Sequence, residues 1–301
     1  MALRLHITER QRRLGIELRK LRENAGLNLI EAAALIGMGR PHLTHIEAAR
    51  TGISTERLRT LVAKYGCTSG PYVAELVRLS ESSGKGWWSG HRKALPQLSL
   101  DLAELEGCAA TVRGYETLVV PGLLQTEGYM RALFRDSLAD ASPDEVDVLT
   151  RFRLERQSIL TAPRPVQLHV VIHEAALRLV VGGTHVMRGQ LTHLLAAARM
   201  PNVTIQVRPF DAGSAPWIGA SFSIVSPGVP GLETVVVEHP SAQLKLSDQA
   251  SIDQYSGTFD NLGKGSLPPV VTDHPPEAHT GRDSCVLVQH LLYTYQGSSD
   301  D

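Results

Sequence analysis

Residues 29–48 leave the backbone few options. Leu29 to Ile36 has helical spacing and is dense in alanine at Ala32, Ala33 and Ala34. Gly37-Met38-Gly39 interrupts it, and a second helical pattern then runs from about Arg40 to Ala48, with Leu43 and Ile46 on its inward side. Two glycines within three residues permit a tight turn, because glycine enters left-handed backbone conformations without a Cβ clash. Small alanine side chains let the joined helices pack closely.

The flanking sequence supplies the rest of a helical unit. Thr8 caps a helix through about Asn24, with Leu14, Leu18 and Leu21 at helical spacing and Gly26 as its stop. Asn28 caps the helix that follows. Ser54 or Thr55 opens a fourth helix carrying Leu58, Leu61 and Val62, and Pro71 opens a fifth with Val73, Leu76, Val77 and Leu79. Two helices joined by a three-residue turn, with another helix before them, make a helix-turn-helix, whose second helix enters the DNA major groove. The outward residues of that helix are Arg40, Pro41, His42, Thr44 and His45.

Charge is divided along the chain. The formal net charge is only −1, yet residues 1–93 carry 16 Lys and Arg against 8 Asp and Glu, and the remainder carries 14 against 23. Attraction to phosphate depends on local charge within about 8–10 Å, so the basic N-terminal part matters more than the total. A nucleic-acid-binding module and a solvated basic face both fit this composition. At 43% hydrophobic residues and 301 residues in length the chain supports two globular domains. Three scattered cysteines, Cys67, Cys108 and Cys285, indicate neither a disulfide framework nor a metal knuckle. With no apolar run approaching ~20 residues, a cytoplasmic location is expected.

Ser82 to Gly90, containing Trp87-Trp88, breaks the helical periodicity. We expect a DNA-binding domain over residues 1–83, a connection at 84–97 anchored by the tryptophans, and a second domain over 98–301. In the latter, helices are expected at Leu98–Ala110, Thr126–Phe134 and Pro143–Leu160. Val166–Ile172, helical His185–Arg199 and Val203–Val207 read as a parallel strand pair with a crossover helix. Ser221–Val225 and Thr234–Val237 are further strands. Helices near Asp248–Leu262 and Asp283–Tyr295 flank a Pro/Gly/His-rich segment from Gly263 to Gly281.

Leu18-Arg19-Lys20-Leu21-Arg22-Glu23-Asn24-Ala25-Gly26-Leu27, the alanine-rich second helix and His45-Ile46-Glu47-Ala48-Ala49-Arg50 resemble the Xre, or phage-repressor, helix-turn-helix family over roughly residues 10–65. The resemblance implies an ion pair between Arg22 and Glu47 that fixes domain geometry, base reading by Arg40, Pro41 and His45, and a phosphate contact by Arg50. Arg40 suits guanine O6 and N7, His42 and His45 suit purine N7 or phosphate, and Thr44 suits phosphate. The chain departs from the family at Leu29, where a DNA-contacting glutamine is usual, and at Ala49, where a glycine usually takes the left-handed turn.

Lys85-Gly86-Trp87-Trp88, Asp101-Leu102-Ala103-Glu104-Leu105-Glu106, Val120-Pro121-Gly122-Leu123-Leu124-Gln125-Thr126, Arg153-Leu154-Glu155-Arg156-Gln157, His173-Glu174-Ala175-Ala176-Leu177-Arg178 and Val203–Phe210 are similar to actinobacterial Xre-type regulators with a large C-terminal domain of unknown function. That group is antitoxin-like, and the likeness implies a small partner protein encoded nearby.

Catalysis finds little support in these residues. His173-Glu174-Ala175-Ala176-Leu177 lacks the second histidine of a zinc-hydrolase signature. His169 and His173 lie ~13 Å apart along a strand, and His185 and His193 are two helical turns apart. Gly182-Gly183 reads as a tight turn before a helix. Arg151, Arg153 and Arg156 form a basic cluster suited to pairing within the domain, with contact to DNA phosphates as the alternative. Val120–Thr126 reads as a packed lead into a helix, with the lip of a partner or ligand site as the sharper alternative.

The expected fold is therefore multidomain: an all-α, five-helix, phage-repressor-like helix-turn-helix domain followed by an α/β domain with a mixed sheet flanked by helices. The expected function is sequence-specific, regulatory binding of double-stranded DNA by a homodimer. No catalytic residues, cofactor, metal or membrane association is expected. An antitoxin-like protein that sequesters a small partner and autoregulates its operon is the alternative.

Overall fold

A computed structural model of the chain describes residues 4, 7–138, 140–213, 220–239, 242–272 and 282–295. Its contacts divide it into two units, residues 1–108 and 109–301. The first unit is helical: α1 (Glu9–Asn24), α2 (Leu29–Ala34), α3 (Arg40–Glu47), α4 (Thr55–Lys64), α5 (Gly70–Ser80) and α6 (Gln97–Gly107), with a 3-10 turn at Trp87–His91. The helix starts follow local chemistry. Asn28 accepts from the Ile30 and Glu31 N–H groups while Glu31 accepts from the Asn28 N–H, a reciprocal cap. Leu18, Leu43, Leu58, Leu61, Val62 and Leu76 are fully buried in one core.

The boundary falls after Cys108, later than the 84–97 connection drawn from sequence. α6 packs on α1 within the first unit, and the Ser82 hydroxyl donates to Glu104 Oε1 at 2.7 Å. Trp88 is buried beside Gly107 of α6, with Trp87 edge-on to it at 5.8 Å between centroids. The tryptophans thus bind the segment after α5 to α6, which composition alone does not reveal.

The second unit is a six-stranded mixed sheet in the order β3-β2-β1-β4-β5-β6. The strands are β1 (Thr111–Glu116), β2 (Gln167–His173), β3 (Val203–Arg208), β4 (Phe222–Ser226), β5 (Thr234–His239) and β6 (Ala242–Leu246). β1, β2 and β3 pair in parallel; β1-β4, β4-β5 and β5-β6 are antiparallel. Helices α7 (Glu127–Ser137), α8 (Pro143–Gln157), α9 (Glu174–Arg178), α10 (Thr184–Ala197), α11 (Gln249–Lys264) and α12 (Ser284–Thr294) complete it. β2, α10 and β3 form the parallel pair and crossover that periodicity predicts. Much of the Pro/Gly/His-rich segment, residues 273–281, lies outside the described residues.

β1 was not visible in the sequence although it is central in the sheet. Arg113 and Gly114 interrupt its apolar pattern, and the structure accounts for both. Arg113 lays its guanidinium over Phe259 at 5.5 Å and donates to Ser256 Oγ at 3.0 Å. Gly114 lies under Val170. Tyr115, Val171, Phe222, Ile224 and Val235 pack with Ile252, Phe259 and Leu262 of α11 on one face of the sheet.

Candidate nucleic-acid interface

The outward face of α3 follows from its burial pattern. Leu43 and Ile46 are fixed in the core, so Arg40, Pro41 and Thr44 are exposed and His42 and His45 are half-buried beside them. Pro41 sits in the first turn, where its missing N–H costs no helical hydrogen bond. The Thr44 hydroxyl donates to the Arg40 carbonyl at 3.0 Å and must turn away from its own helix to reach a phosphate. His42 Nε2 and His45 Nδ1 are sheltered without a hydrogen-bond partner, leaving one nitrogen of each ring unsatisfied in the free protein. Arg50 is exposed just past the helix.

Arg22 of α1 holds α3 by a two-pronged ion pair. Its Nε meets Glu47 Oε1 at 2.7 Å and its Nη2 meets Glu47 Oε2 at 2.9 Å. Its Nη1 donates to the Leu27 carbonyl at 2.9 Å. Both side chains are under 10% exposed, and the hydrogen bonds Arg22 donates to Glu47 raise its pKa further. The pair touches no outward position of α3; it fixes the helix that carries them.

The end of α3 is a left-handed turn made by Ala49. Its φ of 58° is the one positive value at a non-glycine among the described residues. The Arg50 N–H donates to the His45 carbonyl at 2.8 Å and the Ala49 N–H to the Ile46 carbonyl at 2.9 Å. This is the paired-bond helix stop that normally employs glycine. Two residues missed by sequence reading brace it. Arg4 Nη1 donates to the Ala49 carbonyl at 2.9 Å, and the Arg4 N–H to the Arg50 carbonyl at 2.9 Å. Gly15 brings α1 against α3 so closely that a Cβ would stand 2.3 Å from the Glu47 carbonyl oxygen. An interior glycine in an amphipathic helix was a legible signal; Arg4 sits in an unpatterned segment and gave none.

The other residues weighed from sequence have structural tasks in the second unit. His173 caps α9, its Nδ1 accepting from the Ala175 N–H at 3.2 Å, and it is not inside a helix as a zinc signature requires. Burial lowers its pKa, helped by nearby Arg208. Glu174 is buried, bonded to Arg178 and to the Phe210 N–H. His169 bonds Gln206 at 2.8 Å and packs edge-on against Phe259. Gly182 turns with φ 69° where a Cβ would meet Ala132 at 2.5 Å. Among the described residues, no group of three or more His, Cys, Asp or Glu is placed to hold a metal ion, and no helix is long and apolar enough to cross a membrane.

Comparison with known proteins gives two matches. Residues 13–82 match a helix-turn-helix domain, the stretch from α1 through α5 that carries α3. Residues 100–273 match a domain of unknown function, DUF5753, which spans the sheet of the second unit. No curated protein and no solved structure matches the chain.

Proposed function

Because this chain belongs to the family of the domain of unknown function DUF5753, here preceded by a helix-turn-helix domain, we propose that it is a sequence-specific, DNA-binding transcription regulator. The observation that carries the reading is the posture of α3. Its core side chains, the Arg22–Glu47 pair and the Ala49 turn fix it rigidly, and its free face presents Arg40, His42, His45 and, beyond the turn, Arg50. Arg40 reads guanine bidentately; His42 and His45 donate to purine N7 or phosphate; Thr44 and Arg50 hold phosphates. In this reading the protein is a cytoplasmic homodimer of the Xre type on a two-fold site, and its second unit governs dimerisation and response.

The test is selection of bound fragments from genomic DNA by the full chain and by an Arg40→Ala/His45→Ala variant. An enriched motif that the variant loses supports the proposal. A motif unchanged in the variant, or no motif with either protein, refutes the assignment of α3.

A second reading makes the chain an antitoxin-like holder of a small partner protein that autoregulates its operon. The observation favouring it is an exposed apolar group around α9: Leu179 and Val180 follow it, and Phe210 packs edge-on against His173. Co-expression with the product of the adjacent gene tests it. Copurification lost in Phe210→Asp supports this reading, and copurification indifferent to that change counts against it.

A further inference from the structure

At the carboxyl end of β1 the sheet carries a row of polar residues that DNA binding does not use. Tyr115 pairs with Phe222, and Phe222 with Val237. One step along, Glu116 lies across from Ser221, whose carbonyl accepts from the Glu238 N–H at 3.3 Å. Glu238 in turn pairs with Gln243 of β6. Register partners on adjacent strands point to the same side of a sheet. Tyr115, Phe222 and Val237 pack with α11, so Glu116, Ser221, Glu238 and Gln243 share the opposite face. β1 is also where the strand order reverses, β2 and β3 being added on one side of it and β4, β5 and β6 on the other. Open α/β sheets bind small molecules outside the carboxyl ends of their strands, at such changes of order.

Two atoms of this row are unsatisfied. Glu116 Oε2 and Gln243 Oε1 are each buried without a hydrogen-bond partner, a rare and unfavourable condition for polar atoms. α8 sets positive charge beside them. Arg153 Nη1 donates to Gln125 Oε1 at 2.6 Å with its guanidinium 4.4 Å from the Phe134 ring centroid. The Arg156 guanidinium lies against Gly122. The loop at residues 120–126 is already tied by hydrogen bonds: Gln125 Nε2 donates to the Val120 carbonyl at 2.7 Å, and Gln157 Nε2 to the Gly122 and Gln125 carbonyls at 3.1 and 2.8 Å. The Thr126 N–H donates to Gln190 Oε1 at 2.7 Å. Locked side chains around unpaired buried oxygens describe a site organised in advance of its ligand.

We infer that this row is a binding site for a polar or basic α-amino acid. Its ammonium group donates to Glu116, its carboxylate accepts from the guanidinium groups of α8, and a hydrogen-bonding side chain extends along Ser221 and Glu238 to Gln243. The electrostatics agree. Burial pushes the Glu116 carboxyl up to about 8, with Glu238 on β5 adding to the rise and Ser221, Arg156 and Arg153 opposing it. Tyr129 of α7 is the further titratable group close enough to interact with it. Glu116 is thus protonated near neutral pH, and an arriving ammonium group displaces that proton.

The inference deepens the regulatory reading by naming what the second unit responds to. Binding is measured without DNA, so failure here leaves the DNA motif untouched, and loss of the motif leaves binding intact. Isothermal titration of the full chain uses L-lysine, L-arginine and L-glutamine, with L-leucine, 1,4-diaminobutane and succinate as controls. We expect at least one of the first three to bind, with roughly tenfold or greater weakening in Glu116→Gln and in Gln243→Leu. Titration in buffers of different ionisation enthalpy should show proton release at pH 7 in the wild type and none in Glu116→Gln. Four results overturn the inference: no heat from any compound; leucine binding equally well; diaminobutane or succinate alone matching the amino acids; or affinities indifferent to both substitutions.

Discussion

Ala49 shows what a single residue costs this fold. A Cβ in left-handed backbone is unfavourable by about 1–2 kcal/mol, and the methyl group recovers part of this by being buried. Ala49→Gly should therefore stabilise the first unit by about 0.5–1 kcal/mol, read as a higher unfolding midpoint with unchanged DNA affinity. Arg22 and Glu47 give the opposite case. Removing one partner leaves a buried charge unpaired, so Arg22→Met should cost about 3–5 kcal/mol. In Arg22→Met/Glu47→Leu, chemical denaturation should show much of that loss restored. Glu116 supplies a pH signature. Its folded pKa of about 8 lies above the ordinary carboxylate value of 4.5, so the folded state binds an extra proton between those values. Its contribution to stability is present below the lower pKa and declines as pH rises through the window. Glu116→Gln should accordingly gain stability relative to the wild type between pH 5 and pH 9, measured as the difference in thermal midpoint. A constant difference across that range would contradict the assignment.

Among elements, the helices declared themselves in sequence and the strands did so unevenly. Asn28, Ser54, Pro71 and Asp248 start helices through local hydrogen bonds or a preset φ, so their signals needed no tertiary context. β2 and β3 carry apolar runs because both faces are covered. β1 could not be seen, since Arg113 and Gly114 are explained by Phe259 and Val170, residues far off in sequence. β6 is short, with Gln243 and Lys245 in its middle, and α9 is five residues long; neither has enough pattern to detect. The outward positions of α3 followed from its periodicity and the Arg22–Glu47 pair from the resemblance; Gly15 stood out as a glycine inside a helix but its contact with Glu47 did not, and the bracing by Arg4 arises only from folding. Gly15→Ala tests that contact. On an open helix the change favours helix by up to ~1 kcal/mol. Here the Cβ would strike the Glu47 carbonyl, so the variant should be destabilised and should bind DNA more weakly, although it alters no outward position of α3.

At the scale of the whole molecule the division of charge sets the division of labour. The basic residues concentrate in the first 93 positions and the acidic ones beyond them, so phosphate attraction belongs to the unit carrying α3, and its affinity should fall steeply with salt. What decides the role of α3 is whether it reads bases or merely rests on the backbone. Once a site is selected, its guanines can be replaced one at a time by 7-deazaguanine, which removes the N7 acceptor and leaves the phosphates intact. Binding is then measured for the wild type and Arg40→Ala. Base reading by Arg40 requires a position where the replacement costs the wild type about 1–3 kcal/mol and costs Arg40→Ala nothing further. Equal losses in both proteins at every position, or no loss anywhere, would contradict it.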